Sequence, residues 1–541
     1  MKWREPRLAL ALLILSALTL GCLVPFIGKA VHIDDPLFIW TAHQITSHPL
    51  DFYGFKVQWG THETPIYEVM QNPPLASYYM AVVGILFGWS EIALHFGFLF
   101  PAIAAILGTY FVARRFCSHP FAAAFAVIVT PGFLISSTTL MCDIPMVALW
   151  LWAIAFWIQG IEAEKPKFLY LSAFLIILCS LTKYFGMCLV PLLLAYSFML
   201  KRRPGRWLLY LCLPVLALAA YQCLTHKAYG RGLLTDAARY VSGGRVGGSL
   251  PSKLLAALAF TGGCPLIILP AIPLAWGKKG VGIALGGIVA VVLLIIGIKD
   301  IGDMRAVVNG VVNWSFVIQM AILVVGGSAV LILAVADFFQ KKDALSLLLL
   351  LWVGGTFLFA SVVNWTVAGR NILPMIPPVV ILLIRRMETR EWTFPHLWWP
   401  LGISLAVGLL AAQADFQFAG SARTAAYQID QHLTQVSKDV TFEGHWGFQY
   451  YMEQLGAKPL ERDPMNLVSN QMIIMPAGNS LLFKLPVDKV ESYSTYRCET
   501  SKWMAIMNVN LGAGYYSDGW GPAPFIFGAP PFDSYYVFRV K

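Results

Sequence analysis

Apolar residues recur along this chain in blocks of roughly 15 to 23, separated by short polar breaks, and blocks of that length suit helices that cross a bilayer. The pattern predicts about fourteen helices, at 8–27, 75–90, 96–113, 119–137, 143–160, 168–182, 184–200, 207–225, 254–275, 280–298, 314–336, 345–363, 371–384 and 396–413. Basic pairs and triplets sit between blocks: Arg114-Arg115, Lys201-Arg202-Arg203, Lys278-Lys279, Lys341-Lys342 and Arg385-Arg386. Such clusters mark cytoplasmic loops. The first block follows Lys2, Arg4 and Arg7 without a small-residue cleavage motif, so it is expected to remain as a first span with a cytoplasmic N-terminus. Alternating sides from there puts every basic cluster inside only if one early segment does not cross, and 75–90 is short and ends in polar residues. About thirteen spans result, with an outer C-terminus.

Beyond residue 413 the pattern changes. An amphipathic stretch at 422–436, strand-like runs at 439–442 and 471–475, and the turn Ala477-Gly478-Asn479 predict a small mixed α/β domain. The expected architecture is therefore an α-helical polytopic membrane domain, residues 1–413, and an extracytoplasmic α/β domain, residues 414–541, in a plasma (inner) membrane. The aromatic run GHWGFQYY at 444–451 reads as core of that domain in preference to a platform for sugar rings.

Composition agrees with this reading: of 541 residues 58% are hydrophobic and 13% charged. The net charge of +10 resides largely in loop clusters and does not call for nucleic acid. Eight of nine cysteines lie in or beside apolar blocks, which argues against a disulfide framework.

Four outer regions then share one face: the loop 28–74, the helix start at Asp143, the Gly-rich loop 226–253 and the tail. In HIDDPLFIW, Asp35 before Pro36 is suited to cap a helix, whereas Asp34 is left over and is placed to take a proton from a hydroxyl or amine. Asp143, with Pro145 following, is also suited to cap. In NPPLASYY, Asn72 caps, the prolines set the helix start, and Tyr78 and Tyr79 anchor at the interface or meet an acceptor. His32, His43, His48 and His62, with Glu63 and Glu68, read as solvated loop residues without compelling metal spacing. The loop 226–253 carries Lys227, Arg231, Arg239, Arg245 and Lys253 against Asp236, with six glycines. Together with Lys183 and Arg370 at outer helix ends, these cations point to an anionic partner such as a lipid-linked phosphate, or to ordinary headgroups.

Carboxylates in the first outer loop, then N-P-P-L, T-x-x-x-D-x-P-M, L-T-K-Y-x-G and R-N-x-L-P-x-x-P-P, follow one another in that order. In this the chain resembles GT-C glycosyltransferases of the protein O-mannosyltransferase and lipid A aminoarabinose transferase type, over roughly residues 1–390. The resemblance implies transfer of a hexosyl or pentosyl group from a polyprenyl-phosphate carrier to a protein, lipid or glycan acceptor at the outer face, with inversion. It places Asp34 as general base, Asp35 and Asp143 as orienting groups, and Lys183, Arg370, Arg231, Arg239 and Arg245 around the donor phosphate. The family often has a lysine where this chain has Asn72, which shifts phosphate binding towards those other cations. A divalent metal, held by Asp34 and Asp143, is left open as a cofactor.

A transporter or flippase of a lipid-linked or anionic substrate is the alternative. It would place ionisable residues in mid-span and broken helices in paired positions, whereas nearly all charges here fall at expected span ends.

Overall fold

A helix keeps every backbone hydrogen bond within its own segment, so apolar blocks in lipid become helices. The computed structural model describes residues 7–60, 62–243, 249–390, 392, 394–433, 440–461, 467–480 and 482–541. Among these, nine helices are long and apolar enough to cross a membrane, including Leu8–Phe26, Glu91–Ala113, Asp143–Glu162 and Trp314–Lys341. The protein is a multi-pass, mostly helical membrane protein with a β-containing C-terminal part.

Three of the expected spans are interrupted beside prolines. The segment 119–137 divides into Pro120–Ile128 and Pro131–Ser136. The segment 254–275 passes from the Leu250–Gly263 helix through Pro265 into a 3-10 turn. The segment 371–384 is built from Gly369–Ile372, a 3-10 turn containing Pro374, and Ile376–Glu388. Pro166–Thr182 is one regular helix of 17 residues. Each proline removes an amide donor and opposes the preceding turn. The early segment expected not to cross is the 13-residue helix Leu75–Phe87, about 20 Å long at 1.5 Å per residue and shorter than a hydrocarbon core of about 30 Å.

Helices approach most closely where glycines replace larger residues. A Cβ on Gly262 would lie 2.0 Å from the Leu323 carbonyl oxygen, and one on Gly327 would lie 2.0 Å from that of Leu258. The helices Leu250–Gly263 and Trp314–Lys341 therefore pack backbone to backbone, as small residues allow in membranes.

Not every cation of the basic clusters is solvated. Arg385 is buried in the bundle, with Nε 3.4 Å from Asp337 Oδ1 and Nη2 donating to Ser346 Oγ at 3.1 Å. Arg385 and Asp337 stand one residue past the expected ends of 371–384 and 314–336, and there the two opposite charges face each other inside the protein.

The last span is one helix, Trp398–Leu433, of 36 residues. It runs from the membrane domain into the C-terminal part without a break, and its last third falls in the amphipathic stretch read from the sequence at 422–436, of which 434–436 lie outside the described residues. A five-stranded sheet packs beside it in the order Val490–Cys498, Asp533–Val540, Met472–Pro476, Val440–Phe442, Lys458–Pro459. Val440–Phe442 pairs in parallel with both of its neighbours, and the remaining pairs are antiparallel. The runs expected at 439–442 and 471–475 correspond to Val440–Phe442 and Met472–Pro476, residue 439 lying outside the described residues. Within GHWGFQYY, Trp446–Tyr451 begin the Trp446–Gln454 helix, in which Phe448 and Tyr451 are buried. Phe448 packs on Tyr535 with ring centroids 5.0 Å apart.

Candidate active site

The stretch from Gly28 to Asp35 is held on three sides. The Val31 amide donates to the Tyr451 hydroxyl at 2.7 Å, so the C-terminal domain touches the loop directly. Gly447 allows that approach, since a Cβ there would lie 2.0 Å from the Val31 carbonyl oxygen. Gly447→Ala is expected to lower thermal stability by about 1–3 kcal/mol through overpacking and to reduce activity by shifting the loop. Thermal unfolding in detergent and an activity assay check both effects.

Ile33 sits at φ 47°, a left-handed conformation that is an outlier for a β-branched residue. Such strain costs on the order of 1–3 kcal/mol and is retained where surrounding contacts enforce it. Here those contacts come from Asp35. Its Oδ2 accepts from the His32 amide at 3.1 Å and its Oδ1 from the Leu140 amide at 2.9 Å. Asp35 is thus the first residue of the Asp35–Ser47 helix and a clamp between two loops, a correction to its expected role as an N-cap. Asp34 occupies the cap position and makes no side-chain capping bond, because its carboxylate is turned towards Arg370.

Burial pushes the Asp35 carboxyl up to about 7, against the opposing pull of Lys29 and of the two amide donors. Its folded value exceeds the ordinary carboxylate value, so the folded state binds the extra proton between about pH 4 and 7. Stability from this group is greatest below that window and declines as pH rises through it. Asp35→Asn is expected to flatten the decline, as read from unfolding midpoints between pH 4 and 8.

Arg370 Nη1 donates to Asp34 Oδ2 at 2.7 Å and lies 3.3 Å from Met141 Sδ. The short helix Gly369–Ile372 carries Arg370, and the C-terminal domain seats that helix: the Gly369 amide donates to the Tyr515 carbonyl at 2.7 Å. Only glycine fits there, since a Cβ would come 2.3 Å from the Tyr515 ring.

Asp143 is buried at the start of Asp143–Glu162, and Lys183 Nζ donates to its Oδ1 at 2.6 Å. Asp143 is therefore paired with a cation, and the structure gives it no bond to its own helix. Lys183 lies in an extended break between Pro166–Thr182 and the 3-10 turn Tyr184–Cys188. The fold-back is tight: a Cβ on Gly186 would lie 2.6 Å from the Cys179 carbonyl carbon. This explains why K-Y-F-G reads as a unit.

Asn72, Asp143, Lys183 and Arg370 line one cavity of about 350 Å³. Apolar and aromatic side chains close the rest of it, among them Phe185, Phe359, Tyr240 and Trp365. Asp34 reaches its edge through Arg370. Asn72 contributes to the wall without capping, since Pro74 holds the cap position of the Leu75–Phe87 helix and the Asn72 carbonyl accepts from Tyr53 at 2.6 Å. Tyr78 and Tyr79 are not among the lining residues. Their hydroxyls donate to the carbonyls of Pro49 and Gly97.

The Gly-rich loop contributes a helix, Leu233–Ser242, whose Leu234, Ala237 and Tyr240 face the cavity. Arg231 and Arg239 are placed elsewhere. Arg231 is exposed and donates to Glu68 at 2.7 Å and Asp236 at 2.8 Å, and Arg239 stands 3.5 Å from Asp236. Arg245 lies outside the described residues.

A metal fits this arrangement poorly. Asp34 and Asp143 each already pair with a side-chain cation, and among the described residues no three His, Cys, Asp or Glu side chains gather as a metal group. His32, expected to be a solvated loop residue, is buried edge-on against Phe418 and Tyr516.

A second set of charges escaped sequence reasoning. Lys29, fully buried, pairs with fully buried Asp415, whose Oδ2 also accepts from Tyr516 at 2.8 Å. Lys29 lies within 3.4 Å of the Thr138 hydroxyl, and His32 Nε2 lies 3.7 Å from Asp415 Oδ1. Lys29 stands just past the first apolar block and Asp415 just past the last. Their common distance from a block end was the only signal.

Among solved structures, ArnT from Cupriavidus metallidurans bound to undecaprenyl phosphate is 14% identical with a TM-score of 0.45, covering 87% of this chain and 93% of that one. The apo oligosaccharyltransferase of Archaeoglobus fulgidus is 14% identical with a TM-score of 0.49, covering 84% and 64%. Arabinofuranosyltransferase AftD from Mycobacteria is 11% identical with a TM-score of 0.42, covering 100% and 40%. No curated protein matches. Residues 71–225 match the family described as dolichyl-phosphate-mannose-protein mannosyltransferase, so the resemblance read from the motifs holds across the stretch that carries Asn72, Asp143 and Lys183.

Proposed function

We propose that the protein is a membrane glycosyltransferase that moves a hexosyl or pentosyl group from a polyprenyl phosphate to an acceptor at the outer face of the plasma membrane, with inversion. The observation that carries this reading is the cavity in which Lys183 and Arg370 converge with Asp143, and at whose edge Asp34 stands. The apolar wall suits the first units of a polyprenyl chain, and the two cations suit its phosphate. The family match supports the same donor class, and ArnT, a similar fold at low identity, was solved with undecaprenyl phosphate.

In this mechanism Asp34 accepts the proton of the acceptor's hydroxyl or amine. The nucleophile forms its bond to the anomeric carbon as the bond from that carbon to the phosphate oxygen breaks. The electron pair departs on the phosphate, where Lys183 and Arg370 stabilise the developing charge. Arg370 presents several donors in a fixed fork, so it can hold Asp34 in place and still meet a phosphate oxygen. The pairs Lys29–Asp415 and Arg385–Asp337 are buried and each matches a cation with a carboxylate, which favours a structural role for them over an ion pathway.

Lys183→Met removes one charged donor. A charge-assisted hydrogen bond is worth about 1.5–3 kcal/mol, so kcat/KM for a polyprenyl-phosphate sugar is expected to fall by about ten- to a hundredfold. Native mass spectrometry of the gently extracted protein is expected to show a bound polyprenyl phosphate or its sugar ester. Absence of that lipid, together with no transfer from any such donor, would overturn the reading.

A further inference from the structure

A second cleft, of about 200 Å³, opens between the top of the last span and the C-terminal domain. Its chemistry differs from that of the cavity at Lys183 and Arg370. Three aromatic side chains, Phe418, Trp520 and Phe532, contribute to its walls, and Ser501, Asn508 and Asn510 supply polar atoms. Among the described residues, no lysine, arginine or histidine lines it. The single carboxylate present, Asp533, is committed internally: its Oδ2 accepts from Ser421 at 2.8 Å and from Tyr535 at 2.6 Å.

The polar groups retain capacity for a ligand. Ser501 Oγ accepts from the amides of Trp503 and Met504, both at 3.3 Å, which leaves its hydroxyl proton to donate. Asn508 Oδ1 accepts from the Leu511 amide at 3.0 Å, which leaves its amide hydrogens. Phe532, one of the lining residues, is 55% exposed, an apolar ring turned to solvent.

We infer that this cleft binds a neutral saccharide. A sugar ring offers an apolar face of C–H groups and a perimeter of hydroxyls, and it meets aromatic faces, side-chain amides and hydroxyls without needing a counter-charge. A phosphate or an acidic glycan would find no cation here. Phe418 forms part of the cleft and packs edge-on against His32, with ring centroids 5.1 Å apart. An occupied cleft therefore bears on the loop that carries Asp34, which suits the glycan part of an acceptor. This last step rests on the proposed transferase reading, whereas the binding itself does not.

Saturation-transfer NMR on the full chain in detergent tests it, with maltose, cellobiose and mannobiose as neutral probes and digalacturonate as the anionic one. At least one neutral disaccharide is expected to show transfer that drops several-fold in both Phe532→Ala and Asn510→Ala and persists in Asp34→Asn. Both substituted side chains are exposed, so the variants keep the fold, which the unfolding midpoint verifies. Transfer from none of the neutral probes, transfer unchanged in both cleft variants, or transfer from digalacturonate alone would overturn the inference. Because no donor is present, failure here leaves the role of Asp34 untouched, and failure of the Asp34 role leaves saccharide binding in place.

Discussion

Replacing Asp34 with asparagine is expected to reduce glycosyl transfer by about a hundred- to ten-thousandfold, the usual contribution of a general base, in membranes supplied with a polyprenyl-phosphate sugar. The amide keeps the shape of the side chain and can still accept a hydrogen bond from Arg370, but it cannot take a proton. Folding is expected to persist, because Asp34 is partly exposed and its pairing with Arg370 lies at the cavity edge, where one ion pair adds little stability. Initial rates and the unfolding midpoint separate the two effects. A variant that transfers sugar at the wild-type rate would remove Asp34 from the mechanism.

Lys29→Met is expected to have the largest effect on stability, about 3–5 kcal/mol, because it leaves the Asp415 carboxylate buried without its cation. Both side chains are fully buried, so water cannot replace the lost partner. The double variant Lys29→Met, Asp415→Leu is expected to be more stable than the Lys29 variant alone, since replacing a whole buried pair by apolar groups is often close to neutral. Thermal unfolding in detergent measures each variant. A Lys29→Met protein as stable as the wild type would show that the pair contributes nothing.

Hydropathy made the membrane helices legible because burial in lipid imposes one pattern on every span. It carried less information about where those helices break, since Pro131, Pro265 and Pro374 interrupt segments whose apolar character runs on. For the site, motif order brought Asp143, Lys183 and Arg370 to attention, and the structure places all three on one cavity. Local rules misassigned the aspartates: a proline after Asp35 predicts a cap, yet its carboxylate is drawn to the Leu140 amide, more than a hundred residues away. The same limit hid Lys29 and Asp415, which are 386 residues apart. Charge counting also overrated the Gly-rich loop, because Glu68 and Asp236, far from each other in sequence, both reach Arg231.

The unbroken helix Trp398–Leu433 also has a consequence for engineering. A chimera that grafts another soluble domain onto this membrane part cannot be joined at the apparent boundary near residue 413. The splice would fall within a continuous helix, just ahead of Asp415. It would also replace Tyr451 and Tyr515, which hold the loop before Asp35 and the Arg370 helix. Exchanges that preserve the native membrane part would need their junction above Leu433 and would have to supply equivalents of both tyrosines, so the soluble domain is inherited together with the site it braces.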